Sequence, residues 1–129
     1  MFVIKKKLKS YNVMHYEGIP GMATNMPCTF DIKDDIFTIH LTQGTDVFLP
    51  IDKIIKFESM SENSFLQKYH NSNGHNLKNT QGVAYLVITY ISKENEEKII
   101  VLWANTMKEV LFFADLQYKY KTLNKNIEL

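Results

Sequence analysis

Apolar and polar residues alternate along two neighbouring stretches near the start of the chain. Every second residue is apolar over 28–32 and again over 37–41, and an Asp-Asp pair at 34–35 separates the two stretches. Alternation with a period of two is typical of strands that bury one face. A two-residue turn at the acidic pair places Phe30 opposite Ile39, so both apolar sets lie on one face. The pattern therefore predicts a β-hairpin.

Further apolar stretches extend this hairpin into an antiparallel meander. A turn at 43–46 leads into VFLP and then into the stretch 51–60, where we expect Ile55 and Phe57 to point inward. The segments 83–91 and 98–104 are almost continuously apolar. Strands of that kind are covered on both faces, and we expect this for part of their length.

The segment between these strand regions is more polar. It is predicted to contain one helical turn around 65–69 and then an exposed loop over 70–82, because the loop has too few apolar residues to pack.

A helix is predicted near the end of the chain. Thr106 and Glu109 have the spacing of a capping box, and the helix is expected to end near Lys121 or Leu123. Two apolar stripes run along it. The stripe expected to pack on the sheet consists of Met107, Val110, Leu111, Ala114 and Tyr118. The second stripe, nearly opposite, consists of Phe112, Leu116, Tyr120 and Leu123.

The second stripe has two interpretations, because a helix that covers one end of a single sheet needs only one buried face. In one, a strand or the N-terminal MFVI covers the stripe. In the other, its four residues are candidate contacts for a protein partner or a second copy of the chain.

The segment HYEGIPGM at 15–22 places two glycines and a proline in an apolar run. These residues are typical of a shaped turn, and His15 is expected to hold it by a hydrogen bond. The alternative is an adaptable apolar rim for a peptide. Its candidate interaction residues are Ile19, Met22 and Met26.

The order of these elements resembles a known family. VMHYEGIPGM, CTFDIKDDIFTIHL, LPIDKIIKFE and AYLVITYISKENEEKIIVLW, followed by a helix, are similar to the small bacterial pleckstrin-homology-like proteins, which are close to GRAM domains. The resemblance covers about residues 12–121. It implies a mainly β fold: a strongly bent antiparallel sheet or partly open barrel of about seven strands, capped by the C-terminal helix.

A length of 129 residues fits one domain, so we expect 1–129 to be a single domain, with 1–11 as an N-terminal extension or extra strand. The resemblance also has limits. Many family members carry a glycine-rich apolar insertion where this chain has the polar HNSNGHNLKNTQG. The loop GIPGMATNMP lacks the basic residues of phosphoinositide-binding pleckstrin-homology domains, which argues against headgroup binding there.

Composition narrows the partner classes. The net charge is only +1, and all fifteen basic residues are lysines. Proteins that bind nucleic acid usually use arginine for contacts to phosphate and guanine, so we expect no nucleic-acid binding. The lone Cys28 agrees with a reducing compartment, and the N-terminus reverses the order of a secretory signal. We therefore expect a cytoplasmic protein.

The N-terminus carries the densest basic cluster. Lysines near an anionic bilayer each contribute about 1 kcal/mol, so the cluster is a candidate anionic-surface site. The alternative is a solvated terminus or an edge strand protected by its lysines. The cluster consists of Lys5, Lys6, Lys7 and Lys9.

No catalytic, cofactor-binding or metal site is expected. The hairpin register directs Cys28 and His40 to opposite faces, so they cannot act as a nucleophile pair. His70 and His75 lack the further ligands that zinc requires. We therefore expect a non-catalytic protein-interaction or scaffolding module, with self-association as one form. The alternative is a peripheral membrane adaptor that uses the N-terminal lysines.

Overall fold

A computed structural model describes residues 10–71 and 82–124, with side chains described up to residue 119. Within these residues, seven strands and two α-helices form. They are β1 (Tyr11–Glu17), β2 (Met26–Lys33), β3 (Ile36–Leu41), β4 (Asp46–Pro50), a 3-10 turn (Ile51–Lys53), β5 (Ile54–Met60), α1 (Glu62–His70), β6 (Ala84–Ile91), β7 (Glu97–Ala104) and α2 (Met107–Asn124).

The strands form one open antiparallel sheet in the order β4-β3-β2-β1-β7-β6-β5, so β4 and β5 are its edges. The predicted fold class, a mainly β chain of about seven strands with a C-terminal helix, is confirmed. The rings of Phe37 on β3 and Phe57 on β5 lie 5.6 Å apart. Regions near opposite edges of the sheet therefore pack on the same core.

The β2–β3 hairpin has the predicted register. Phe30 lies opposite Ile39, and the strands reverse at Asp34 and Asp35. Both acidic residues have positive φ, 52° and 62°. Two consecutive residues in this conformation form the tight turn whose twist matches that of the flanking strands.

The prediction for β5 is only half right. Phe57 is buried as expected, but Ile55 is 36% exposed and its neighbour Ile54 is buried instead. The pairing of β5 with β6 shifts between Ile54 and Lys56. This irregularity adds one residue to the edge strand, and the added residue reverses the alternation on which the prediction for Ile55 depended.

The central strands are covered on both faces, as their continuous apolarity predicts. Leu86 and Leu102 lie in the main core, whereas Val87 and Val101 belong to a second cluster on the opposite face. Phe65 of α1 is fully buried in that second cluster. Helix α1 therefore covers the outer face of the sheet. With nine residues, it is also longer than the predicted single turn.

The predicted orientation of α2 is only partly right, since Val110 packs against the main core as predicted. Phe113 and Leu116 are buried in the main core, whereas Met107, Leu111 and Tyr118 are exposed. The sheet therefore packs against a face centred on Phe113, between the two predicted stripes. Both faces are apolar, so hydropathy could not distinguish them; the large Phe113 ring, which lies in neither predicted stripe, fills the core.

Candidate functional site

The exposed face of α2 carries most of the exposed large hydrophobic side chains. Five such side chains are exposed in the described part of the chain, and three of them lie on α2. Met107, Leu111 and Tyr118 expose 72%, 59% and 71% of their surface. Ala114 is also exposed and lies between them on the same face.

These residues form one continuous ridge, here called the α2 ridge (Met107, Leu111, Ala114 and Tyr118). They are spaced four, three and four residues apart. At 100° per residue in an α-helix, the four side chains leave the axis within an arc of about 60°. The ridge therefore presents a narrow apolar surface about three turns long.

Contacts on the opposite face of α2 determine that the ridge points outward. Gln117 accepts a hydrogen bond from the backbone N–H of Ser59 on β5, at 2.5 Å. The ring of Phe112 is stacked on that of Tyr11, with centroids 3.9 Å apart and planes 4° apart. Together with the buried Phe113, these contacts fix the rotation of the helix about its axis.

Charged residues flank the α2 ridge on one side. Lys108 donates a hydrogen bond to the Ser10 carbonyl at 3.2 Å, and its Nζ lies 5.0 Å from the centroid of the Tyr11 ring. Asp115 pairs with Lys119 at 3.2 Å; the Lys119 side chain is exposed and that of Asp115 is half-buried. The flank therefore carries two cations and one anion: Lys108 lies about two turns before Asp115, and Lys119 one turn after it.

The predicted second stripe is placed differently from the α2 ridge. Leu116 is buried in the core and Phe112 is half-buried against it, so neither offers a free surface. This corrects their assignment as candidate partner contacts. The side chains of Tyr120 and Leu123 lie outside the described residues.

The HYEGIPGM segment is a turn held by His15. His15 is 1% exposed, and its Nε2 accepts a hydrogen bond from the Ile19 N–H at 3.1 Å. Nδ1 therefore carries the proton and donates to the Ala23 carbonyl at 3.0 Å. The expected hydrogen bond is confirmed, and a second one accompanies it.

Only part of the apolar rim predicted on this turn is exposed. Ile19 is 6% exposed and belongs to the core, which corrects its assignment as a candidate partner contact. Met22 packs against the core, and Met26 is also half-buried. Ile19 and Met22 therefore pack the turn onto the core, whereas Met22 and Met26 keep part of their surface exposed.

Gly18 is required by close packing against β7. Its φ is +107°, and an added Cβ would lie 2.7 Å from the Ile100 Cα and closer still to the Ile99 carbonyl oxygen. No other residue fits at this distance.

Cys28 and His40 lie on opposite faces, as the register predicts. Cys28 is buried, and burial raises the pKa of its thiol to about 11. Both ring nitrogens of His40 bind carboxylates, those of Asp31 at 2.8 Å and Asp46 at 2.9 Å. Although both residues border a cleft of about 450 Å³, the thiol is protonated and the imidazole is engaged elsewhere.

Two other sets of candidate residues are not described. Lys5, Lys6, Lys7 and Lys9 lie outside the described residues, as do His75 and most of the predicted 70–82 loop. His70, at the end of α1, contacts Glu17 at 2.8 Å. In the ranges that the structure covers, no three His, Cys, Asp or Glu side chains are grouped as a metal site would need.

Comparison with known proteins finds no match, either to a protein family or to a curated protein sequence. Over the described residues, neither helix combines the length and apolarity needed to span a bilayer.

Proposed function

We propose that this chain is a non-catalytic protein-interaction module that self-associates through the α2 ridge. The observation that carries the proposal is the exposure of Met107, Leu111 and Tyr118 on one face of α2. Contiguous apolar surface of this kind is typical of interaction sites. The protonated thiol of Cys28 and the carboxylate-bound ring of His40 support the non-catalytic part of the proposal.

The spacing of the ridge favours a helix as its partner. Apolar residues alternately four and three apart are those that pair helices in coiled coils. In an antiparallel pairing of two copies, Leu111 faces Ala114 of the second copy and Met107 faces Tyr118. Each large side chain of the central layer then meets a small one, which lets the helices approach closely.

The flanking charges favour the antiparallel orientation. Lys108 lies between Met107 and Leu111 along the helix, and Asp115 lies between Ala114 and Tyr118 on the same flank. Antiparallel pairing therefore brings Lys108 level with Asp115 of the second copy, and symmetry repeats this pair. A parallel pairing places each of these charges near the uncharged Val110 or Gln117 instead.

The interface is small, so weak association is expected. Stable interfaces bury about 800 Å² on each partner, more than three turns of one helix provide. Dimer formation should therefore depend on concentration over the micromolar range.

Analytical ultracentrifugation over that concentration range tests the proposal. Leu111→Glu should raise the dimer dissociation constant by about tenfold or more, because it places a charge at the centre of the ridge. Phe48→Glu is the matched control, since Phe48 is 62% exposed but lies on β4. A wild-type chain that stays monomeric throughout, or equal dissociation by both variants, would contradict the proposal.

A charge exchange tests the orientation. Lys108→Glu and Asp115→Lys should each weaken the dimer, and the double variant should recover most of the lost affinity because the pair is re-formed with reversed signs. Additive weakening in the double variant would exclude the antiparallel arrangement.

A further inference from the structure

A second surface lies at the open edge of the sheet, away from α2. A cleft of about 620 Å³ separates the edge strand β4 from the β6–β7 hairpin. The residues that matter for its chemistry are Phe48, Pro50 and Lys53 on the β4 side and Tyr90, Lys93 and Lys98 on the hairpin side.

The backbone of β4 turns alternate hydrogen-bonding groups toward this open side. The Leu41 N–H donates to the Thr45 carbonyl, and the Ile51 N–H donates to the Asp35 carbonyl, each at 2.9 Å. These pairs lie at the two ends of the β3–β4 register, so odd-numbered residues of β4 bond to β3. The even-numbered residues, including Phe48, therefore direct their N–H and C=O groups away from the sheet.

Two features of β4 limit what can pair with it. The strand is only five residues long, and Pro50 at its end has no N–H to donate. Short length and a terminal proline protect an edge from indiscriminate sheet growth. An edge of this length can still pair with one short extended segment.

Phe48 supplies an apolar contact at the centre of this edge. Its side chain is 62% exposed, whereas its neighbour Leu49 is buried. A strand added at the edge would place a side chain directly beside the Phe48 ring, and aromatic residues stabilise such cross-strand pairs.

The cleft is positively charged. Lys53, Lys93 and Lys98 carry three positive charges, and Glu94 is the one acidic residue in the lining, so the net charge is +2. None of these lysines forms a salt bridge with another described residue. The charge therefore favours a negatively charged ligand.

We propose that the edge of β4 binds an extended acidic segment of another protein by strand addition, with Phe48 as the apolar contact and Lys53, Lys93 and Lys98 selecting negative charge. Main-chain hydrogen bonds to the outward groups of β4 supply affinity in this mode, and alternate side chains of the segment supply specificity. The site is separate from the α2 ridge and does not depend on self-association.

Fluorescence anisotropy with defined peptides tests the proposal. The probe is a fluorescein-labelled octapeptide of alternating glutamate and valine, added to the full chain at near-physiological salt. One comparison peptide replaces each glutamate by lysine. The other keeps the charges but carries N-methyl groups on alternate amides, which remove the N–H groups that a strand needs. Only the unmodified acidic peptide should bind. Equal binding by the N-methylated or lysine peptide, or no binding of the acidic one, would overturn the proposal.

Variants locate the site. Phe48→Ser should weaken acidic-peptide binding by about tenfold. Lys93→Gln with Lys98→Gln should weaken it roughly fivefold, as expected for two exposed ion pairs. The control exchanges the exposed Lys33 and Lys119 for glutamine and should leave the affinity unchanged. Equal losses in both double variants would overturn the assignment.

Backbone amide shifts provide a readout independent of affinity. On addition of the acidic peptide, the largest changes in ¹H–¹⁵N spectra should fall in 46–50 and 90–95. Leu111→Glu should bind the peptide like the wild type, which separates this site from the proposed dimer. Shifts centred on α2 instead would refute strand addition at β4.

Discussion

The carboxylate of Glu109 on α2 accepts a hydrogen bond from the backbone N–H of Asn12 on β1, at 3.0 Å. The two residues are 97 positions apart in the chain. The pairing of β7 with β1 ends at Met14 and Trp103, and α2 begins shortly after β7 in the chain. The Glu109 carboxylate thus accepts from a backbone N–H of β1 that lies just beyond the last residue pair of β1 and β7. Its other oxygen accepts from the Thr106 hydroxyl, so one side chain joins the start of the helix to the sheet.

Replacing Glu109 by glutamine should destabilise the fold. Glutamine keeps one acceptor oxygen but loses the charge and the second acceptor oxygen of the carboxylate, which costs about 1–2 kcal/mol at neutral pH. Urea unfolding of Glu109→Gln measures this loss, and Glu96→Gln in the exposed β6–β7 turn is the control, which should change stability little. Equal stability of the two variants would show that the Asn12 contact contributes nothing.

The same contact should make stability depend on acid pH. Burial raises the pKa of Glu109, but hydrogen bonds from Thr106 and the Asn12 backbone outweigh it, so the net pKa is lowered. A lowered folded pKa gives stability that is present above the unfolded value of about 4.3 and is lost as pH falls through the folded value. The difference between wild type and Glu109→Gln should therefore shrink below about pH 4. A constant difference down to low pH would contradict this.

Gly18 and Gly21 offer a matched pair of alanine substitutions. Both have positive φ, but an added Cβ at Gly18 meets the β7 backbone, whereas nothing lies within 4 Å of one at Gly21. Gly21→Ala should cost about 1 kcal/mol for its backbone conformation alone. Gly18→Ala should cost at least about 3 kcal/mol, because β7 must move. Thermal unfolding compares the two, and similar midpoints would refute the close approach.

His40 should titrate above the usual histidine range. Hydrogen bonds to Asp31 and then Asp46 raise its pKa, outweighing the opposing effect of burial. A raised folded pKa means that the stabilisation is complete below the unfolded value of about 6.5 and is lost as pH rises through the folded pKa. Proton NMR titration should show a midpoint above about 6.5 that falls in Asp31→Asn. A midpoint at or below the usual value would contradict the charged pairing.

The rotation of α2 can be tested without any partner. Phe113→Ala should cost about 3–5 kcal/mol, because it leaves a cavity in the core. Leu111→Ala should change the unfolding free energy of the monomer by less than about 0.5 kcal/mol, because Leu111 is exposed. Chemical denaturation at low protein concentration measures both. The reverse order of effects would restore the sequence-based orientation.

Part of the candidate site was visible in the sequence and part was not. The two apolar stripes of α2 left open whether the second stripe is covered or binds a partner; Phe112 is stacked on Tyr11 of β1, and the exposed residues belong to the other stripe. Which face is exposed could not be predicted, because both carry apolar residues at helical spacing. Phe113, the side chain most deeply buried on the helix, lies in neither stripe and was missed.

The cleft beside β4 had no signal in local sequence. The sequence placed Phe48 in a short strand, and Lys93 and Lys98 flank a turn more than a third of the chain away. They line one cleft only because the sheet brings β4 and the β6–β7 hairpin together. Ile55 shows the same limit, since an irregularity in pairing with β6 determines which way it points.

The sequence by itself determined the local features: the Asp34-Asp35 turn, the register of the β2–β3 hairpin, the double-sided burial of β6 and β7, and the start of α2. These follow from the conformational preferences of neighbouring residues and from apolar periods that match one type of element. Only the tertiary structure decided the rotation of α2, the Glu109–Asn12 contact and the open edge of β4. The hydrophobicity of a side chain predicts that it favours burial. The space that it fills in the core is formed by residues distant in the chain, so the sequence around it does not show where it packs.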